Sequence, residues 1–146
     1  ECVYDIMDAI KEKDAFLATG HISPEESLIL CREGRKRGVN MILTHPEFPR
    51  TRIGRDDQAE LAKLGVVIEK NWFNLAQKSV MPEEMAETIR TVGSGHVYLA
   101  TDRGQKGAPT PVSELKRFIA VMLTCGIAEA QIRDMVQKVP EEMVCR

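Results

Sequence analysis

DAFLATGHISPEESLILCREGRKRGVNMILTHPEF, residues 14–48, contains two short apolar runs that each finish on a histidine, with a helix-forming segment between them. The first run is Phe16-Leu17-Ala18-Thr19-Gly20-His21 and the second is Met41-Ile42-Leu43-Thr44-His45. Between them, Ser23-Pro24-Glu25-Glu26 supplies a serine N-cap, a proline preset for the first helical position and a glutamate at the capping-box position. The helix is expected to run to about Arg37, with Gly38 as its stop. A strand–helix–strand unit of this length joins parallel neighbours, and parallel strands bring their C-terminal ends to one rim, where α/β folds place their chemistry.

The same plan recurs downstream. Val66-Val67-Ile68-Glu69 and Val97-Tyr98-Leu99-Ala100-Thr101-Asp102 are apolar runs that also end on a residue able to bind a metal or move a proton. Upstream, Val3, Ile6, Met7 and Ile10 fall at helical spacing, so residues 1–13 are expected to form a helix. Strands are expected at Ala15–Thr19, Val39–Thr44, Val66–Glu69 and Val97–Thr101. Glu47–Arg55 reads as a polar, arginine-rich loop and Asp56–Leu64 as a short helix closed by Gly65. Lys70–Val80 reads as a loop carrying Trp72 beside Phe73. Pro82 opens a helix with Met85, Ala86, Ile89 and Val92 on its inner face, broken by Gly93-Ser94-Gly95. Thr110-Pro111 caps a helix through Cys125, with Leu115, Phe118, Ile119 and Met122 on one side and Gly126 as its end. A last helix over Ala128–Lys138 is expected to break at Pro140.

The order is α-βα-βα-βα-βα-α, one α/β domain over residues 1–146 with a parallel sheet. The nearly continuous apolar strands predict a sheet covered on both faces.

Composition narrows the classes. At 146 residues, with 43% apolar and 29% charged side chains, the chain is a globular domain able to bury a core. A net charge of -2 gives no electrostatic case for nucleic acid, and no apolar run of about 18 residues predicts a membrane span. Cys2, Cys31, Cys125 and Cys145 show no metal-ribbon spacing, so free thiols in a reducing, cytoplasmic setting are expected. The start on Glu1 without a methionine suggests a trimmed or partial chain.

His21 and His45 are one βα unit apart and are expected on the same rim, where neutral imidazole suits zinc and related metals. A histidine bonded within its own loop is the plainer alternative. Asp102 could ligate a metal and take a proton from water, or merely cap the loop DRGQKGAPT. Glu69 could bind metal or substrate, or pair with Lys70 or a loop arginine. Arg103, which follows Asp102, and Arg50, Arg52 and Arg55 are candidates to hold an anionic substrate, although a charged surface loop is the commoner origin of such residues. Trp72 could wall a pocket or simply pack. His96 precedes its strand and is expected at the opposite rim, in a structural role. Gly93–Gly95 comes before a strand and is no phosphate loop.

The phrases ATGHIS, LTHPEF and ATDRGQ resemble strands five to eight of the amidohydrolase superfamily, metal-dependent hydrolases on the (β/α)8 barrel. The resemblance implies half of a TIM-type barrel, with His21, His45 and Asp102 as ligands of a divalent metal, zinc by preference, and Asp102 also as general base. It implies metal-activated water attacking a carbonyl or phosphoryl centre of a small-molecule substrate. The family's first-strand H-x-H pair and its bridging lysine or glutamate are missing from the sequence, and a complete barrel needs about 250 residues. The expectation is therefore a C-terminal half that has lost its N-terminal half or associates as a homo-oligomer, with weak metal binding and little activity by itself. A non-catalytic α/β binding or assembly module, and a metal-dependent decarboxylase or lyase on the same scaffold, are the alternatives.

Overall fold

All four expected strands form, and they lie side by side in chain order in one parallel sheet. The structure is a computed structural model and describes residues 2–145; Glu1, at the start of the first expected helix, and Arg146, at the end of the tail, lie outside it. Helix α1 (Cys2–Glu12) leads into β1 (Phe16–Ala18), α2 (Pro24–Lys36), β2 (Asn40–Leu43), α3 (Arg55–Lys63) and β3 (Val67–Asn71). The short α4 (Trp72–Ala76), α5 (Pro82–Val92), a 3-10 turn (Ser94–His96), β4 (Val97–Ala100) and α6 (Pro111–Thr124) follow. The chain ends with α7 (Glu129–Arg133), a π-helical stretch (Asp134–Lys138) and α8 (Val139–Val144). Among the described residues no helix is long and apolar enough to cross a membrane.

The N-terminus of α2 forms as its residues dictate. The Ser23 hydroxyl accepts from the Glu26 backbone N–H at 3.2 Å, and the Glu26 carboxylate accepts from the Ser23 backbone N–H at 3.0 Å. The Ser23 backbone N–H, and after it the Ser23 hydroxyl 2.8 Å from Glu26 Oε2, hold the Glu26 carboxyl below its usual range. Further along α2, Gly34 lies directly over β2, where an added Cβ would come within 2.3 Å of the Met41 sulfur. The helix and strand approach this closely only because no side chain separates them.

Register places Ile42 beside Val67 and Ala18, and Glu69 beside Tyr98. Met41, Leu43, Ile68, Val97 and Leu99 point the other way and are buried with Met85, Ile89, Phe118, Met122 and Met135 in the helix-side core. Phe16, Ile42, Val67, Tyr98 and Ala100 are half-buried and Ala18 is exposed. The expected two-sided cover is therefore not what the described residues make. A sheet in sequential order with right-handed crossovers carries its helices on a single side, and the opposite face here is left partly open.

Two further segments differ from expectation. Lys70 and Asn71 extend β3, and Trp72–Ala76 forms a helix where a loop was expected, because the Asn71 side chain caps it by accepting from the Phe73 N–H at 2.8 Å. The C-terminal helix does not break at Pro140. It widens into the π stretch just before, where the Val139 N–H reaches the Asp134 carbonyl. A proline ring crowds the carbonyl four residues back, and one wide turn makes room for it.

Candidate functional site

Three consecutive polar residues on β3 decide the site. Side chains alternate along a strand, so Glu69 and Asn71 face the open side of the sheet while Lys70 faces the helices. All three are buried, and each face has its own network.

On the open side, Glu69 is the hub. Its Oε1 lies 3.3 Å from His45 Nδ1 and accepts from Asn71 Nδ2 at 2.6 Å, and its Oε2 accepts from the Tyr98 hydroxyl at 3.1 Å. Glu69 pairs with neither Lys70 nor a loop arginine, contrary to two of the readings the sequence left open. His45 Nδ1 faces a donor as well as this acceptor, since Asn71 Nδ2 also lies 3.3 Å from it; a bond to Glu69 puts the ring proton on Nδ1, and a bond from Asn71 puts the lone pair there. Burial, and then the Glu69 charge and hydrogen bond, raise the Tyr98 phenol above its ordinary value and keep it a neutral donor.

His21 comes to the same place. Its ring and that of His45 stand 5.0 Å apart between centroids, tilted by 39°, and the Phe48 ring meets His21 edge-on at 6.3 Å. His21 is exposed and His45 half-buried. The strand ends turn sharply there: Gly20, His45 and Asp102 have φ of 64°, 49° and 50°. A left-handed conformation is uncommon outside glycine and costs energy. At His45 it is held by the Thr51 hydroxyl and Phe48 N–H, which donate to the His45 carbonyl at 2.6 and 3.0 Å. His45 and Asp102, chosen from sequence as strand-end residues, are thus two of the four non-glycine positions with positive φ among the described residues. His96 is exposed on the turn before β4, at the other end of the strands.

Asp102 shares the rim but not the cluster. It is exposed, and among the described residues no three His, Cys, Asp or Glu side chains gather closely enough to hold a metal ion. The two imidazoles suit an ion as two of its ligands; a complete set is not assembled.

Beyond Asp102, Arg103 lies beside the buried Glu114 of α6, with Nε 3.3 Å from Oε2. Glu114 also accepts from Trp72 Nε1 and, at 3.0 Å, from Arg117 Nη1. The indole of Trp72 packs on Phe118 at 5.9 Å, so Trp72 ties α4 to α6 instead of lining an open cleft.

The helix side of β3 holds the second network. Lys70 Nζ donates to Glu47 Oε1 and, at 2.6 Å, to Gln58 Oε1, and Gln58 Nε2 donates to the Ile53 carbonyl at 2.8 Å. The loop read as polar surface thus sends Glu47 inward. Its arginines go outward: Arg52 donates to the Ser79 carbonyl and lies 3.7 Å from Glu84, and Arg55 pairs with Glu87 and Asp56. They tie the loop to α5 and the segment before it, and Arg50 is exposed. None of these three joins the histidine pair.

Sequence reading missed Asn71, Tyr98, Glu114, Lys70, Glu47 and Gln58. The available signal was the Glu-Lys-Asn run, which alternation splits between two faces once it is assigned to a strand. Cys31 is buried and its thiol is pushed up to about 12 by desolvation, whereas Cys2 and Cys145 are exposed; all four cysteines are free.

Comparison with known proteins adds little. The model of a family of unknown function (DUF6282) matches residues 1–69, just under half of the chain and including both rim histidines and Glu69. No curated protein and no solved structure matches the chain.

Proposed function

We propose that this chain is the C-terminal half of a (β/α)8 barrel and supplies part of the active site of a metal-dependent hydrolase acting on a carbonyl or phosphoryl centre. The observation that carries the reading is the His21–His45 pair with Glu69 behind it. Two imidazoles on one tetrahedral ion, with metal–nitrogen distances of about 2.0–2.1 Å, stand about 5 Å apart between centroids, and these two stand 5.0 Å apart.

With Glu69 as the partner of Nδ1, 3.3 Å away, His45 would keep Nε2 for ligation. That carboxylate–histidine arrangement fixes the ring and raises its basicity. A divalent ion, zinc by preference for this donor set, would polarise the scissile bond and make a water molecule more acidic. Asp102, exposed on the same rim but outside the histidine cluster, would have to approach the two rings to act as third ligand and proton acceptor. Tyr98 and Asn71 act through Glu69 and are positioning residues. The remaining ligands would come from outside the described residues, and the partly open sheet face, with Phe16, Ile42, Val67 and Ala100, would line the barrel interior. Free thiols fit a reducing, cytoplasmic setting.

Metal analysis of the full-length polypeptide tests the reading. Stoichiometric zinc, manganese or iron, lost in His45→Ala and in His21→Ala, together with metal-dependent hydrolysis of an amide, lactone or phosphoester panel, is the expected result. A folded full-length protein that purifies without metal and takes up none from added zinc would refute it.

A further inference from the structure

We infer that Arg103 is an anion-binding residue at the rim, and that the substrate carries a carboxylate or phosphate group set apart from the bond that is cleaved. The side chain is mostly withdrawn from water, with 13% of it exposed, and its Nε is fully buried. Even so, it makes no hydrogen bond to any described residue: its buried Nε lies 3.3 Å from Glu114 but is not aimed at it. A buried donor left unpaired costs about 1–3 kcal/mol, more when charged, and such groups in native proteins call for a reason.

Glu114 lies within ion-pair distance of Arg103 but accepts no hydrogen bond from it. Its Oε2 already accepts from Trp72 and its Oε1 from Arg117. Two arginines share one carboxylate, so the cluster keeps a net positive charge. Arg103 is also held in place: its guanidinium lies over the Phe73 ring at 5.6 Å, and the Phe73 backbone N–H is bound by Asn71. The result is a preset planar fork with free N–H groups, which matches an oxyanion in the bidentate mode.

The position suits a substrate anchor. Asn71 bonds both to the Phe73 backbone and to the Glu69 that holds His45, so one residue links the arginine and histidine clusters. Arg103 follows β4 and His45 follows β2, two strand spacings apart, or about 10 Å. A substrate of that reach would place its anion on Arg103 and its reacting centre at the histidines. That the anion belongs to the substrate rests on the hydrolase reading; that Arg103 binds one does not.

Trp72, the only tryptophan, donates to the Glu114 oxygen that Arg103 faces and is a built-in reporter. The experiment titrates the folded protein with inorganic phosphate and, separately, with acetate at constant ionic strength in chloride, following Trp72 fluorescence. A saturable change in the millimolar range is expected, weakened at least about tenfold in Arg103→Gln and also in Arg103→Lys, which loses the fork, but kept in His45→Ala. Absence of a saturable change with either anion overturns the inference. So does an unchanged titration in both Arg103 variants, and Arg103→Lys keeps the test available should Arg103→Gln not fold. Anion binding in a full-length protein that takes up no metal would leave this inference standing and sink the hydrolase reading; metal-dependent hydrolysis without an Arg103-dependent titration would do the reverse.

Discussion

Replacing Lys70 by methionine tests how the helix side of β3 is held together. The lysine side chain is 0% exposed and that of Glu47 only 6%. Methionine fills nearly the same volume, so the change removes a charge and two hydrogen bonds and leaves little cavity. Glu47 then keeps only Gln58 Nε2, at 3.5 Å, and Gln58 Oε1 loses its donor. The unpaired Gln58 oxygen costs about 1 kcal/mol, and the range for breaking a buried ion pair from one side is about 3–5 kcal/mol. For a chain of this size such a loss lowers the melting temperature by roughly 10 °C. Urea unfolding followed by Trp72 fluorescence should show the loss at pH 7. The double variant Lys70→Met with Glu47→Gln should recover most of the stability. A loss of under about 1 kcal/mol for Lys70→Met, or no recovery in the double variant, would refute the view that these residues form one buried charge network.

Glu69→Gln keeps the shape of the rim network but removes the charge behind His45; zinc affinity of the full-length protein should fall roughly 10–100-fold with the metal-free fold intact, as calorimetric titration would show. Gly34→Ala should destabilise the chain by about 1–3 kcal/mol through overpacking, despite alanine's better helix propensity, and Met41→Val in the same chain should restore much of it in the same urea assay. Thiol titration at pH 8 should find Cys2 and Cys145 reactive and Cys31 protected until the chain unfolds. Cys31 has its folded value raised, so its contribution is complete below the ordinary thiol value of 9.0 and is lost as pH rises towards about 12; the loss is at most about 4 kcal/mol. Cys31→Ala should flatten the stability profile over that window, leaving the slope from the raised Tyr98 phenol, whose contribution is complete below its ordinary value and lost as pH rises above it.

The strand–helix plan was legible because its signals are local. Ser23, Pro24 and Glu26 announce a helix start whatever surrounds them, and Gly38 its end. The two rim histidines followed from counting one βα unit. Partnership was not legible, since Glu69 can bond Lys70, an arginine or His45 with equal sense until the strand's faces are known. The loop at Glu47 misled for a related reason. A run of charged residues looks solvated, and only the buried ammonium of Lys70 explains why one carboxylate turns inward. The cover of the sheet was misjudged because hydrophobic strands signal burial without saying which neighbour provides it.

The Glu-Lys-Asn order on β3 has one more consequence. A slip by a single position would turn the ammonium towards the imidazoles and drop two acceptors among the methionines and leucines under α5. Both networks would fail together. The strand therefore checks its own alignment from its two sides, and an error in threading that still satisfied the backbone ladder would be rejected by charge alone.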